Sequence, residues 1–254
     1  MGFLHKGHIS LVKESQKKAD ITIVSIFVNP TQFAPNEDFS KYPRDLEKDS
    51  QLLLNEGVDY LFCPTVEEIY STNHQTYVDV TEITKILEGE FRPTHYRGVT
   101  TVVAILFNSV YPDFAFFGQK DAQQTAVIRQ MVADMKYEIE IVVCPIIREE
   151  DGLAMSSRNI FLSPAERDKA LVISKSLNET SELISSGDHN VKNIIKKVNN
   201  NFIKESSIHL NYFRIVHADT FKEIDELKLG NSYFILVAAK VGNTRLIDNL
   251  LIHL

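Results

Sequence analysis

The first 150 residues alternate short apolar runs with helical patterns, and this alternation leaves few possible folds. Residues 21–29 (ITIVSIFVN) form a nearly continuous apolar run rich in β-branched side chains, as expected of a strand buried on both faces of a parallel sheet. Runs of the same character lie at residues 58–63, 114–117 and 139–144. Helical periodicity accompanies them at residues 9–18, 45–55, 98–110 and 122–135. The pattern predicts an α/β fold with a Rossmann-like, doubly wound parallel sheet, whose ligands bind at the carboxyl ends of the strands.

The character of the sequence changes at Ser163. The tetrapeptide Ser163-Pro164-Ala165-Glu166 combines an N-cap serine, a proline at the first helical position and a glutamate at the third, which predicts a helix start. Two helices, ending near residues 185 and 204, and strands at residues 210–217, 233–241 and 245–253 follow. We therefore predict a Rossmann-like domain at residues 1–148, a connecting loop at residues 149–162 and a small α+β domain with an antiparallel sheet at residues 163–254.

The composition limits the classes of function. A formal net charge of −7 over 254 residues argues against nonspecific nucleic-acid binding, although it leaves room for a local basic pocket. Cys63 and Cys144 are isolated, so we expect reduced, buried cysteines and no CxxC-type metal site. Because the sequence carries neither a signal-peptide pattern nor an apolar run near the ~18 residues that a membrane span needs, we expect a cytoplasmic protein.

His5-Lys6-Gly7-His8 is an H-x-G-H element at the start of a predicted helix. Gly7 lets the backbone approach a ligand closely, and the free N–H groups of the first helical turn favour anions. Imidazoles donate hydrogen bonds to phosphate oxygens and, when protonated, neutralise developing charge. The element therefore indicates a polyphosphate site, with an ordinary pair of surface histidines as the alternative.

Amide and lysine side chains follow two of the predicted strands. Pro30 turns the chain and places the amides of Asn29 and Gln32 near the ligand-binding edge, although the same pattern also forms an ordinary turn. Residues 118–121 (GQKD) combine a glycine turn with a lysine before a helix, and Gln124 lies in that helix. This segment indicates a second phosphate site, unless its aspartate serves only as a helix N-cap.

Two further polar segments carry arginines. Residues 155–159 (MSSRN) combine two hydroxyls with an arginine fork, which suits a triphosphate, whereas a flexible interdomain loop with a helix cap is the alternative. Residues 92–98 (RPTHYRG) place two arginines and a histidine before another helix, a pattern that, taken alone, is more typical of a solvated basic turn than of a binding site. Neither G-x-G-x-x-G nor G-x-x-x-x-G-K-[ST] occurs, so the phosphate-compatible segments indicate ATP held by histidines and helix termini, with chemistry at the α-phosphate.

Seven segments, in order and with matching spacing, resemble the pantothenate synthetase (pantoate–β-alanine ligase) family. They are MGFLHKGH, SIFVNPTQF, NEDFSKYPR, RPTHYRGV, FFGQKDAQQ, REEDGLAMSSRN and TRLIDN. The H-x-G-H element alone is shared by the wider nucleotidyltransferase superfamily. The resemblance implies a ligase that forms a C–N bond: it condenses pantoate with β-alanine through an enzyme-bound pantoyl adenylate and releases AMP and diphosphate.

The resemblance also implies the residues that handle ATP. It implies that His8 is a proton donor and that His5 contacts phosphate. It also implies that Lys120 stabilises the transferring phosphate. The expected catalytic set is completed by Ser156, Ser157 and Arg158. The expected ATP-binding residues are Met1, Gly2, Phe3, Leu4, His5, Lys6, Gly7, His8, Gly118, Gln119, Lys120, Asp121, Ile147, Met155, Ser156, Ser157 and Arg158.

For the other substrates, the resemblance implies that Gln32 and Gln124 bind pantoate, with Asn29 close by and β-alanine near Gln32. Mg²⁺ is expected on the ATP phosphates, with protein ligands that the sequence does not determine and with Asp121 and Asp49 as candidates. The family also implies a homodimer, whereas the net charge and the lack of a long apolar run lead us to expect neither nucleic acid nor membrane as a partner.

The front of the chain departs from the family pattern. Relatives carry a further segment, with a helix, a buried strand and a Pro-Thr pair, before the position of Met1. We therefore expect the first strand of the parallel sheet to be missing, which would leave neighbouring ladder groups unpaired at about 1–3 kcal/mol per buried group. Two alternatives stay open: a related nucleotidyltransferase, and an inactive form that only binds nucleotide.

Overall fold

The computed structural model describes residues 2–34, 37, 39–205 and 207–254. The chain divides into two compact units, Met1–Pro145 and Ile146–Leu254. The predicted connecting loop, residues 149–162, lies wholly within the second unit. In the described part of the chain, every helix is too short or too polar to cross a membrane.

The first unit alternates helices and short strands. Its elements are α1 (Lys6–Lys18), β1 (Ile23–Ser25), α2 (Leu46–Asn55), β2 (Tyr60–Phe62), α3 (Val66–Ile69), α4 (Glu88–Phe91), α5 (His95–Val110), β3 (Phe114–Gly118), α6 (Ala122–Met135) and β4 (Glu140–Cys144). Short 3₁₀ helices lie at Pro30–Gln32, Phe39–Lys41, Ile83–Lys85 and Gln119–Asp121. Strand β1 pairs with β2 over three residue pairs and β3 with β4 over five, and both pairings are parallel.

The parallel pairing confirms the predicted α/β class, but these strands form two separate two-stranded sheets rather than one. The apolar run at residues 21–29 is regular strand only at Ile23–Ser25, followed by one further bond from the N–H of Ile26 to the carbonyl of Phe62. It then leaves the ladder because Pro30, which has no N–H, begins a 3₁₀ helix. All five residues of β3 are half-buried, so the expectation of strands buried on both faces is wrong for this pair.

Helix α5 is at the centre of the larger apolar core of the first unit. Its buried side chains Val99, Val103 and Phe107 cluster with Ile128 and Met131 of α6. Half-buried aromatic residues of the strand segments pack against the same cluster. The start of α5 is thereby fixed beside the polar turns that follow the strands.

A smaller cluster fixes the first helix. Ile9 and Val12 of α1 pack with Leu53 of α2, and α1 also lies against β3 and β4. Strand β3 leads directly into the 3₁₀ helix Gln119–Asp121, which contains Lys120. The packing of α1 on β3 therefore fixes the position of α1 relative to the strand that carries this segment.

The second unit confirms the predicted α+β arrangement. It contains α7 (Pro164–Ser185), α8 (Val191–Ile203), β5 (Ile208–His217), β6 (Ser232–Val241), β7 (Thr244–His253) and a 3₁₀ helix at Ser157–Phe161. The strands form an antiparallel sheet in the order β5-β6-β7. Helix α7 begins with the predicted capping box, in which Ser163 and Glu166 exchange hydrogen bonds with each other's backbone N–H. Buried side chains such as Ile173, Ile194 and Ile235 join both helices to the sheet.

The two cysteines differ in exposure. Both are free, and Cys144 is buried as expected, but Cys63 is exposed. The prediction for Cys63 is wrong because β2 ends at Phe62, so the cysteine lies beyond the paired strand.

Candidate active site

The two histidines of the H-x-G-H element cap helix α1. Nδ1 of the N-cap residue His5 accepts the N–H of Gly7 at 3.1 Å, and Nδ1 of His8 accepts the N–H of His5 at 3.2 Å. A neutral imidazole carries one N–H, so the use of both Nδ1 atoms as acceptors places the protons on Nε2. The two ring centroids are 4.0 Å apart. The cap therefore fixes two Nε2–H donors at the positive end of the helix dipole, which suits an anion.

His8 is neutral at pH 7 in this setting. Burial holds the pKa of His8 well below its ordinary value, and the nearby charges of His5 and Lys120 lower it further. A phosphate placed beside the ring would oppose these effects, because a neighbouring negative charge favours the protonated imidazole. The arrangement therefore links anion binding to proton uptake at His8.

The turn before α1 is strained and is held by a buried aspartate. Gly2 and Phe3 have φ values of 87° and 52°, in the left-handed region that a phenylalanine rarely adopts. The carboxylate of Asp49, 2% exposed, accepts the N–H of Phe3 at 2.6 Å and that of Leu4 at 2.7 Å. Asp49 thus fixes the entry to the histidine cap. Met1, the first predicted ATP-binding residue, lies outside the described residues.

The turn after β1 is built on the side chain of Asn29, which is 1% exposed. Its Oδ1 accepts from the hydroxyls of Thr31 at 2.9 Å and Tyr70 at 2.8 Å. Its Nδ2 donates to the carbonyl of Gly98 at 3.0 Å and to Oε1 of Gln32 at 3.2 Å. Asn29 and Gln32, both predicted substrate-binding residues, are therefore in direct contact, and the asparagine orients the glutamine amide.

Gly98 lets helix α5 approach this turn closely. A Cβ at Gly98 would lie 2.6 Å from the carbonyl of Thr31 and 2.7 Å from the backbone nitrogen of Gln32. Real Cβ contacts are essentially never this short, so a larger residue would displace the turn. A glycine inside a helix pattern is the sequence signal that could have revealed this close backbone approach.

The interpretation of residues 92–98 as a solvated basic turn is wrong at two of its side chains. His95 is 8% exposed, and the side chain of Arg92 is 14% exposed. Both donate to the backbone carbonyl of Gln32, because the start of α5 packs against the Pro30–Gln32 helix. Neither Arg92 nor His95 is among the site residues predicted from the sequence.

The segment after β3 carries the predicted lysine. The side chain of Lys120 is 22% exposed, and its Nζ lies 4.0 Å from Oδ1 of Asp121. Asp121 occupies the N-cap position of α6 but makes no capping hydrogen bond, so the alternative of a simple N-cap receives no support. Gln124 is half-buried in the first turn of α6. Helix α1 packs on β3, the strand that leads into this segment, and the charge of Lys120 lowers the pKa of His8.

The remaining predicted ATP-binding residues lie in the second unit. The carbonyl of Ile147 accepts the N–H of Met155 at 2.9 Å. The hydroxyl of Ser156 accepts the N–H of Arg158 at 3.2 Å, which caps the 3₁₀ helix Ser157–Phe161. Ser157 is buried and Arg158 is half-buried. The segment is a capped 3₁₀ helix, and its role on ATP stays a prediction.

Carboxylates for a metal are sparse. In residues 2–34, 37, 39–205 and 207–254, no group of three His, Cys, Asp or Glu side chains is placed to hold a metal ion. Both oxygens of Asp49 accept backbone N–H groups, whereas the side chain of Asp121 is 48% exposed beside Lys120. Mg²⁺ needs only one or two carboxylates when phosphates and water supply its other ligands, and Asp121 fits that role better than Asp49.

Comparison with known proteins identifies close relatives. Residues 1–251 match the family described as pantoate-beta-alanine ligase. The pantothenate synthetase of Acetivibrio thermocellus is 52% identical over 253 residues, which cover 100% of this chain and 89% of the relative. That of Thermoanaerobacter sp. is 53% identical over 251 residues, covering 99% and 88%.

Solved structures agree with these relatives. The pantothenate synthetase of Thermus thermophilus superposes with a TM-score of 0.94 at 43% identity, covering 98% of this chain and 90% of that one. The pantoate-beta-alanine ligase of Francisella tularensis, solved in complex with beta-gamma ATP and beta-alanine, gives a TM-score of 0.77 at 37% identity, covering 99% and 87%. The fold class predicted from the sequence is the fold of these structures.

Proposed function

Because the chain belongs to the pantoate-β-alanine ligase family, we propose that it condenses pantoate with β-alanine in an ATP-dependent reaction. The pantoate carboxylate attacks the α-phosphorus of ATP, and the bond from that phosphorus to the bridging oxygen breaks to release diphosphate. The β-alanine amine then attacks the carbonyl of the pantoyl adenylate, AMP leaves and the amine loses a proton. Positioning and charge stabilisation are the main tasks left to the protein.

The first unit supplies donors for the phosphates. The Nε2–H groups that the cap directs from His5 and His8 suit phosphate oxygens, and Lys120 adds a positive charge beside them. As negative charge shifts to the leaving diphosphate, His8 takes up a proton more readily and acts as proton donor. Residues 2–8 and 118–121 line the ATP site in this proposal.

Pantoate binds through amides. Gln32 lies in a turn held on both sides, and its Oε1 is engaged by Asn29, so its amide nitrogen is the end that donates to a pantoate oxygen. Gln124, in the first turn of α6, supplies a second amide. β-Alanine lies near Gln32, where its amine can reach the adenylate carbonyl.

Further parts of the proposal rest on the family resemblance. Ile147, Met155, Ser156, Ser157 and Arg158 bind ATP, and the last three belong to the catalytic set. Mg²⁺ accompanies the phosphates, with Asp121 as its protein carboxylate, and supplies charge neutralisation. The resemblance also supports a homodimer, and the sequence pattern described above is the basis for proposing that the enzyme acts in the cytoplasm.

The observation that carries the proposal is the pair of histidine caps, which directs two Nε2–H donors to the start of α1 in a chain that belongs to the pantoate-β-alanine ligase family. The test is product analysis with purified protein. We expect AMP and diphosphate to form from ATP, and pantothenate to appear only when both pantoate and β-alanine are present.

Three results would contradict the proposal. ADP as the product would indicate phosphoryl transfer, and a nucleotide-linked final product would indicate a nucleotidyltransferase. ATP binding by calorimetry without any turnover would indicate an inactive nucleotide-binding protein.

A further inference from the structure

A closed triangle of hydrogen bonds surrounds the backbone carbonyl of Gln32. Nδ1 of His95 lies 2.9 Å from this oxygen, and Nη2 of Arg92 donates to it at 3.2 Å. Nη1 of Arg92 and Nε2 of His95 complete the triangle at 3.3 Å. A buried histidine and a half-buried arginine thus converge on one main-chain atom of a residue that we assign to pantoate.

The triangle determines the tautomer of His95. A carbonyl oxygen can only accept, so Nδ1 carries the proton and donates to Gln32. Nε2 is then the acceptor for the guanidinium of Arg92. Burial and the charge of Arg92 lower the pKa of His95 to about 4, so the ring stays in this neutral form at pH 7.

Glu37 fixes the arginine in turn. Its Oε1 accepts Nε of Arg92 at 2.7 Å and its Oε2 accepts Nη2 at 2.6 Å, a two-point pairing that holds the plane of the guanidinium. The glutamate also balances the positive charge that points at the turn, which lowers the cost of its burial.

The opposite side of the turn is equally constrained. The amide of Asn29 holds Oε1 of Gln32 from one side, and Gly98 brings the backbone of α5 against Thr31. The main chain of Gln32 is therefore held by His95 and Arg92, while its side chain is oriented by Asn29. A shift of the main chain would redirect the amide that meets the substrate.

We propose that His95 and Arg92 are positioning residues for pantoate: they hold the main chain of Gln32 so that its side-chain amide faces the substrate. This inference rests on the proposed function, since it takes Gln32 as a pantoate ligand. Neither residue touches the substrate in this account, and their effect passes through Gln32.

A double-mutant cycle tests the inference. His95→Phe keeps a planar ring but removes both nitrogens, and Gln32→Ala removes the amide that the ring is proposed to position. We expect His95→Phe to raise the pantoate KM about tenfold, the loss typical of one or two hydrogen bonds, with little change in the ATP KM. In the Gln32→Ala background the same substitution should have almost no further effect on pantoate KM.

Two more variants separate positioning from general destabilisation. His95→Asn retains a donor at the place of Nδ1 and should recover most of the pantoate affinity lost in His95→Phe. Thr101→Val is the matched control, because Thr101 is buried on the same helix and its hydroxyl bonds to the N–H of Val78 and the carbonyl of Arg97 rather than to Gln32. It should lower the melting temperature but leave pantoate KM unchanged.

The outcomes are distinct. Additive effects of His95→Phe and Gln32→Ala, or equal increases in the pantoate and ATP KM values, overturn the inference and leave the proposed function standing. A pantoate KM that also rises in Thr101→Val overturns the inference, because any loss of stability would then be enough to raise the pantoate KM. Failure of the parent protein to make pantothenate overturns the proposed function and this inference with it.

Discussion

In the first unit the parallel pairings extend over three and five residue pairs, whereas β5, β6 and β7 of the second unit are ten residues long each. A long antiparallel ladder satisfies its own backbone groups, and side chains on its faces are then free to form an apolar core. Short strands leave more backbone to be satisfied by side chains. The functional residues proposed for the first unit lie in these side-chain-supported turns.

The two units also differ in how many side chains hold the backbone in place. Asp49 holds the turn before α1, and Asn29, Arg92 and His95 hold the turn after β1. Each turn therefore depends on a few buried polar side chains. In the second unit, an ion pair between Arg148 and Asp248 is added to a sheet and core that already hold the backbone. We expect substitutions in these turns of the first unit to alter chemistry and substrate affinity, and substitutions in the sheet and apolar core of the second unit to alter stability.

The largest effect is expected at Lys120, a residue of the first unit that is proposed to act in the chemical step. Lys120→Ala should slow adenylate formation by about 10²–10³-fold, the usual loss when one preorganised charge is removed from a transition state. The pantoate KM should change far less. Single-turnover quench experiments measure the adenylate step directly. Lys13→Ala, at an exposed lysine 3.6 Å from Glu56, is the control and should behave like the parent. Unchanged adenylate formation in Lys120→Ala would remove the proposed transition-state role.

The ion pair of the second unit should show an asymmetric loss of stability. The side chain of Asp248 is 2% exposed and that of Arg148 is 31% exposed, and they form two hydrogen bonds of 2.6 and 3.0 Å. Arg148→Met leaves a buried carboxylate without its partner and should reduce the free energy of unfolding by about 3 kcal/mol. Asp248→Asn leaves a partly hydrated arginine and should cost clearly less. Urea unfolding measures the free energy of unfolding of both variants. Equal losses would show that the difference in burial between Asp248 and Arg148 does not determine the cost of breaking the pair.

Close backbone approach in the first unit can be probed with two glycines. Gly98→Ala introduces a Cβ at 2.6 Å from Thr31 and should lower the free energy of unfolding by about 2 kcal/mol while weakening pantoate binding. Gly118→Ala is the matched change, because nothing lies within 4 Å of its Cβ and its φ is −79°. Its stability should stay near that of the parent. Calorimetric titration with pantoate and urea unfolding measure both effects. If Gly118→Ala were also destabilised, the loss in Gly98→Ala could not be attributed to close backbone approach at Gly98.

The smallest expected effect is the pH dependence that His95 contributes. Its folded pKa of about 4 lies below the ordinary 6.5, so the unfolded chain takes up the proton first and stability falls as pH drops through this window. Between about pH 7 and pH 5.5 this amounts to about 1 kcal/mol. His8, whose pKa is also lowered, acts in the same direction.

His95→Phe removes this contribution. The variant should therefore lose about 1 kcal/mol less than the parent between the two pH values, whatever its own stability at pH 7. Urea unfolding at both values gives the two differences. An identical acid loss in parent and variant would show that His95 is not desolvated in the folded protein.

Much of the fold follows from sequence pattern. Capping residues and apolar periodicity place the start of α7 at Pro164 and predict the three C-terminal strands to within two residues. The parallel strands are harder to predict because an apolar run reports burial rather than ladder length. Residues 21–29 illustrate this, since only Ile23–Ser25 is regular strand.

The candidate site divides in the same way. Motifs suffice to indicate His5, His8 and Lys120, because their residue types carry phosphate chemistry wherever they occur. The supporting residues Arg92, His95 and Asp49 bond to backbone atoms across 45 to 63 residues of sequence. No local pattern encodes such a contact, so these residues can be recognised only when the fold brings the segments together.

The imidazole caps of α1 have a consequence for how the helix responds to two ligands that reach the same rings, a proton and a phosphate. A proton that adds to a neutral ring must take Nδ1, the atom that accepts the helical N–H, so acid loosens the first turn. A phosphate approaches Nε2 on the far side and leaves the cap intact while the ring is neutral. Because bound phosphate also favours the protonated form of His8, nucleotide keeps the start of the helix capped only while that ring stays neutral, and each proton that His8 takes up costs the cap bond to His5.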